Sequence, residues 1–151
     1  MIEGVQKIKL TTHTDERGFF REILHKESLS SLYKFGQLSY SKVYEGVIKA
    51  WHGHKLQGQW TFVMHGGLKI KLYDNRSGSS TYKSVLEFNG GGDAEPVIYF
   101  FPPGVLHGYK CISGPALVLY LTSDIYDPEE EVRIMYNDPS IGCNWTENKT
   151  Y

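Results

Sequence analysis

Two cysteines in 151 residues, Cys111 and Cys143, are too few for a disulfide scaffold and lack the spacing of metal-binding pairs. A reduced, cytoplasmic chain is the expectation. An excess of one charge is also missing: 16 Lys and Arg stand against 17 Asp and Glu, a net charge of -1. Such balance provides no field to draw nucleic acid or an anionic membrane. No apolar run approaches the roughly 20 residues of a membrane span. The opening MIEGVQKIKL has neither the apolar core nor the cleavage site of a secretory signal. Linkers, repeats and low-complexity tails are absent, so one domain over residues 1–151 is expected. Helix signals are scarce as well. Only the short pieces Ser28–Tyr33 and Pro128–Val132 qualify, and Glu129, Glu130 and Glu131 read as a solvated turn of the second.

What the chain does have is strand pattern. Leu68, Ile70 and Leu72 alternate with Lys69, Lys71 and Tyr73, the signature of a strand with one wet face. Val97–Phe101 and Ala116–Leu121 read as buried strands, while residues 74–80 and Gly90-Gly91-Gly92 read as turn and loop. Many short strands with regular turns predict an all-β sandwich or barrel.

The most informative stretch is GVIKAWHGHKLQGQWTFVMHG, from Gly46 to Gly66. His52 and His54 are two residues apart, so in a strand both imidazoles look into one cavity. Gln59 lies five residues further on, and His107 sits in a second segment, Pro102-Pro103-Gly104-Val105-Leu106-His107-Gly108-Tyr109. The two segments resemble the paired motifs of the cupin superfamily, the first matching G-x5-H-x-H-x4-E-x6-G except that Gln59 takes the Glu position. That resemblance selects the double-stranded β-helix, or cupin jelly roll, built of two packed antiparallel sheets.

A wider resemblance covers residues 1 to about 145. Asp15-Glu16-Arg17-Gly18-Phe19-Phe20-Arg21-Glu22 resembles the opening signature of the dTDP-4-dehydrorhamnose 3,5-epimerases. Gln37, Ser39 and Ser41 match that family's phosphate-contacting strand, with Ser39 in place of its Asn. Gly46–His52, Gln57–Arg76, His107-Gly108-Tyr109, Tyr120-Leu121-Thr122, Tyr126-Asp127-Pro128 and Asn137–Trp145 follow in family order.

The resemblance implies epimerisation of a nucleotide-linked 4-keto-6-deoxy sugar in surface-polysaccharide or deoxysugar biosynthesis. A ketone acidifies the neighbouring C3 and C5 hydrogens, so a base can leave an enolate that is reprotonated from the other face. Such a site needs a base of near-neutral pKa, an acid across the ring and positive charge at the enolate oxygen. By resemblance His52 is the base, Tyr120 the acid and Lys49, replacing an arginine, the charge beside the carbonyl. Arg17, Glu22, Gln37 and Ser39 would hold the nucleotide diphosphate. Gln59, His107 and Tyr126 complete the implied substrate-binding set. The family is dimeric through exchanged N-terminal strands, so a homodimer is implied, with Arg17 reaching a neighbour's ligand. This reading requires no cofactor.

The chain departs from the family at Gln59, where the family has lysine, and in the extra His54. In the family a later segment carries an aspartate paired with the catalytic histidine. This sequence ends at Tyr151 before a match, and Asp138 and Glu45 are the candidates to replace it. An alternative reading follows from His52, His54, Gln59 and His107, which occupy the four ligand positions of metal cupins. They would bind Zn, Fe, Mn or Ni in an isomerase or lyase. A third reading is a sugar-binding cupin without catalysis. Trp51, Trp60 and Tyr73 read as core or cavity wall, and His13, His25 and His65 as surface or turn residues.

Overall fold

Ten strands account for nearly all the regular structure in the computed structural model, which describes residues 1–28 and 34–146. They are β1 (Gln6–Lys9), β2 (Thr12–Asp15), β3 (Gly18–Arg21), β4 (Gln37–Val43), β5 (Ile48–His54), β6 (Gln59–Asp74), β7 (Val85–Gly91), β8 (Val97–Phe101), β9 (Val105–Thr122) and β10 (Glu131–Arg133). The long strands β6 and β9 pair antiparallel from Gln59↔Thr122 to Asp74↔Val105, with register shifts between Val63 and Leu68. The irregularity bends both strands, so each serves two sheets. The first half of β6 and second half of β9 carry β8, β1 and β4. The second half of β6 and first half of β9 carry β7, β5 and β10. The result is two antiparallel sheets face to face, the cupin jelly roll; β2 and β3 form a separate exposed hairpin.

Apolar residues at alternate strand positions meet between the sheets. Leu68, Ile70 and Leu72 from β6 pack with Tyr99, Phe101, Val105 and Val118, all essentially without exposure. Burial of each such aliphatic side chain contributes about 1.5–3 kcal/mol. A second cluster, Trp51, Tyr73, Leu106 and Trp145, sits behind β5.

The other face of β6 is not wet. Lys69 and Lys71 are buried because β7 lies alongside and brings Glu87, 2.9 Å from Lys71 Nζ and 3.8 Å from Lys69 Nζ. Lys71 also donates to the Asn144 carbonyl at 2.6 Å, so the C-terminal segment covers the outer end of this face. Alternation reports which residues share a face, and it cannot report what else packs there. Gly90 and Gly91, expected in a loop, are the last rungs of β7 opposite Leu68 and Gly67.

The helix expected over Pro128–Val132 does not form. Glu131–Arg133 is the strand β10, paired with Gly53 and its neighbours on β5, and only a tight turn precedes it. For Ser28–Tyr33, Ser28 closes a short 3-10 turn with Lys26 and Glu27, and residues 29–33 lie outside the described region. No helix among the described residues is long and apolar enough to cross a membrane.

Candidate active site

Between the two sheets lies a cavity of about 260 Å³. One wall comes from β4 (Gln37, Ser39, Ser41), the start of β6 (Gln59) and the end of β9 (Tyr120, Thr122). The opposite wall comes from β5 (Lys49, His52, His54), the start of β9 (Tyr109, His107) and β10 (Glu131), with Gln57 and Tyr126 at the rim.

Strand β5 explains how three functional side chains share one wall. His52 and His54 do so by simple alternation. Lys49 lies three residues before His52 and would face the other way in a regular strand. The register resolves this: Lys49 is opposite Tyr109 and His52 opposite His107, so β5 advances three residues while β9 advances two. One extra residue in β5 turns the strand and brings Lys49 back to the cavity. Gly53, between the imidazoles, faces the other way, and a Cβ there would lie 2.6 Å from Leu106 Cδ2.

The three imidazoles have different environments. His107 is stacked on Phe101 with ring centroids 4.4 Å apart, and its buried Nδ1 has no hydrogen-bond partner among the described residues. Burial drives its pKa far below the ordinary value, reinforced by His52 and His54, so it stays neutral. His52 is partly buried, its ring centroid 6.0 Å from that of His107. Burial is the largest influence and lowers its pKa; the Glu131 carboxylate opposes this, while Arg133, His54 and Lys49 add to it. His52 is therefore an unprotonated imidazole at neutral pH. His54 is bonded through Nδ1 to Glu130 Oε1 at 2.6 Å.

Of the four candidate metal donors, His54 is engaged through Nδ1 by Glu130, which leaves its Nε2, and Gln59 donates through Nε2 to Thr61 Oγ1 at 2.9 Å, which leaves its amide oxygen. Among the described residues no three His, Cys, Asp or Glu side chains converge on a point that could hold an ion.

From the facing wall, Tyr120 OH lies 2.6 Å from Ser41 Oγ on its own side and 2.8 Å from Tyr109 OH at the start of β9, a chain of three hydroxyls. Burial pushes the Tyr109 phenol far up, so it remains protonated. Gln37 donates from Nε2 to Ser39 Oγ at 2.8 Å and accepts from the Tyr126 amide at 3.1 Å, fixing the rim.

The structure thus brings His52, Tyr120, Lys49, Gln37, Ser39, Gln59, His107 and Tyr126 to one cavity. Arg17 and Glu22 are elsewhere. Arg17 pairs with Asp15 at the tip of the exposed β2–β3 hairpin, and Glu22 lies beside His25. The two carboxylates named as candidate partners of His52 do not line the cavity either: Asp138 accepts from Ser140 and Glu45 from the Gly114 amide. Sequence reasoning missed Glu130 and Glu131. Glu130 is buried, accepting from His54 and from the Leu56 amide at 3.0 Å, because β10 docks on β5 instead of forming a solvated turn. No local signal distinguishes these carboxylates within a run of three acids.

Comparison with known proteins follows the same direction. Residues 1–151 match the family model described as dTDP-4-dehydrorhamnose 3,5-epimerase. The spore coat polysaccharide biosynthesis protein SpsL of Bacillus subtilis is 40% identical over 148 residues, covering 96% of this chain and 97% of SpsL. A dTDP-4-dehydrorhamnose 3,5-epimerase of Methanothermobacter thermautotrophicus is 30% identical over 151 residues, covering 95% of this chain and 80% of its own. Among solved structures, the Legionella pneumophila 3,5-epimerase in complex with dTDP-4-keto-L-rhamnose superposes with a TM-score of 0.87 at 28% identity. That match covers 98% of this chain and 81% of the other.

Proposed function

The chain belongs to the dTDP-4-dehydrorhamnose 3,5-epimerase family, a family of isomerases, and on that premise we propose that it inverts C3, C5 or both in a nucleotide-linked 4-keto-6-deoxy sugar. The similarity to SpsL over almost its whole length supports a role in surface-polysaccharide biosynthesis. Nucleotide sugars are made inside the cell, and we read the enzyme as cytoplasmic.

One observation carries the reading: an unprotonated imidazole and a phenol stand on opposite sheets of a single cavity of sugar-ring size. His52 takes the proton from the carbon beside the ketone. The electron pair forms the enolate double bond, and negative charge gathers on the ketone oxygen. Lys49 stabilises that charge; it is the only Lys or Arg lining the cavity among the described residues. Tyr120 delivers a proton from across the ring, and its phenol is reprotonated through Ser41 and Tyr109. Gln59 stands where the family has lysine, so Lys49 carries the electrostatic role alone.

Gln37, Ser39 and Tyr126 line the mouth through which the nucleotide diphosphate leaves the cavity. None of them is charged, and a diphosphate needs cations. Arg17 of a second copy supplies one in our reading, because the hairpin that bears it projects Phe19 and Phe20 with 68% and 62% of their surface exposed. The enzyme is then a homodimer, and Glu22 on the same segment belongs to that shared site. No step runs through a metal.

Solvent deuterium incorporation tests the assignment. Incubation in D2O with dTDP-, UDP- and GDP-linked 4-keto-6-deoxy sugars should replace hydrogen at C3 or C5, and a complete lack of exchange with all three would sink it. Elemental analysis of protein purified without added metal tests the cofactor-free mechanism. Stoichiometric metal lost on His54→Ala would overturn it.

A further inference from the structure

Glu130 and His54 form the only bond in the cavity wall between an imidazole and a buried carboxylate among the described residues. The assignment of His52 does not use it. The Glu130 carboxyl is raised by burial, but the Leu56 amide and His54 outweigh this and hold it below the ordinary carboxylate range. Glu130 is therefore ionised and can only accept. The nitrogen 2.6 Å away, His54 Nδ1, must be the donor, which settles the tautomer: in the neutral ring Nε2 bears the lone pair. Among the described residues Nε2 has no hydrogen-bond partner, and the side chain lines the cavity. Glu130 is itself fixed from a second side by the Leu56 amide at 3.0 Å. A backbone N–H, a carboxylate and an imidazole in series is how a general base is held in one orientation and its cation stabilised. A surface His–Glu pair would be mobile and screened, whereas these side chains are only 14% and 6% exposed.

We propose that His54, oriented by Glu130, is a second proton-transfer residue of this cavity, serving one of the two carbons that flank the ketone while His52 serves the other. The inference rests on the epimerase reading above. The two imidazoles share one face of β5, two residues apart along the strand, and each stands near the neutral His107, at 6.0 and 6.2 Å between ring centroids. Both therefore look into the cavity from the same wall at different points along β5. At its carbon the C–H bond breaks and the proton passes to His54 Nε2. The electron pair becomes the enolate C=C, with the charge on the former ketone oxygen. Glu130 stabilises the imidazolium, and protonation from the Tyr120 side rebuilds the C–H bond and ketone with inverted configuration. Glu130 is a positioning residue and does not touch the substrate.

The test follows deuterium uptake at C3 and C5 separately by NMR, on a 4-keto-6-deoxy nucleotide sugar that the wild-type protein exchanges. His54→Asn leaves the Glu130–Leu56 bond in place and should slow exchange at one carbon by about 100-fold or more while the other stays within about twofold. His52→Asn should show the complementary pattern. Glu130→Gln should slow the carbon that His54→Asn slows and leave the other within about twofold, with Glu130→Asp recovering part of the loss. Should Glu130→Gln lose the native melting transition, His54→Asn decides alone. Wild-type rates at both carbons in His54→Asn, or equal slowing of both with an unchanged melting temperature, would overturn the inference and leave the epimerase reading standing. Exchange at only one of the two carbons in the wild-type protein would overturn the inference alone, and no exchange at either C3 or C5 would overturn both.

Discussion

Gly53→Ala tests whether packing behind β5 sets the position of the catalytic imidazoles. The added Cβ would sit 2.6 Å from Leu106 Cδ2, against 3.4 Å at the lower edge of ordinary contact, so something must give by about 0.8 Å. Leu106 has little room to yield: it is 1% exposed and packed among Trp51, Tyr73 and Trp145. Overpacking of this kind costs about 1–3 kcal/mol, and each kcal/mol lowers the melting temperature by about 2–4 °C in a domain of this size. If β5 moves away from β9 instead, His52 and His54 move with it, and a shift approaching 1 Å at a base costs on the order of 100-fold in rate. The assay is paired: chemical denaturation for stability and deuterium exchange for the site, each in wild-type and Leu106→Ala backgrounds. Leu106→Ala alone should cost about 2–5 kcal/mol, and Gly53→Ala should cost at least about 1 kcal/mol less in that background than in the wild-type protein. Unchanged stability and exchange in Gly53→Ala, or strict additivity with Leu106→Ala, would refute the reasoning.

The other predictions concern charge and hydroxyls. His52 and His107 have folded-state pKa values below the ordinary 6.5, mainly through burial. Their stabilising effect is complete above pH 6.5 and is lost as pH falls from there toward the folded values. Denaturation midpoints should drop below pH 6.5, at up to about 1.4 kcal/mol per pH unit for each histidine, and His107→Gln should flatten that slope. Exchange at the carbon served by His52 should keep its rate to below pH 6.5. Glu131→Gln, which removes the charge that raises His52, should move the acid limb lower still, and an upward movement would contradict the assignment. Lys49→Met should reduce exchange by about 100- to 1,000-fold, with Lys49→Arg recovering part of the loss. Tyr120→Phe should abolish inversion by about 100-fold or more while exchange with retained configuration continues through the histidine side; loss of both together would remove Tyr120 from the acid role.

Much of the site was legible in the chain because its key residues are local. His52 and His54 share a face through strand periodicity, which holds wherever a regular strand forms. The glycine-bounded segment and the Pro-x-Gly-x-x-His segment together carried the fold, and Leu68, Ile70 and Leu72 marked its core. Other features were beyond local pattern. The wet face assigned to Lys69 and Lys71 disappeared because Glu87 arrives on β7 and Asn144 from the far end of the chain. Strand alternation alone does not place Lys49 on the wall of His52; the extra residue in β5 relative to β9 does.

By itself, the amino-acid sequence determined an all-β sandwich or barrel with two histidines facing inward, because hydrophobic alternation and turn chemistry act over a few residues. Only the tertiary structure decided which carboxylates serve those histidines. Glu130 meets His54 across 76 residues of chain, and its burial depends on β10 docking against β5. Like-charged neighbours such as Glu129, Glu130 and Glu131 are alike in sequence. They differ once strand pairing assigns one to solvent, one to an imidazole and one to the cavity wall, since burial and bond geometry are properties of the assembled fold.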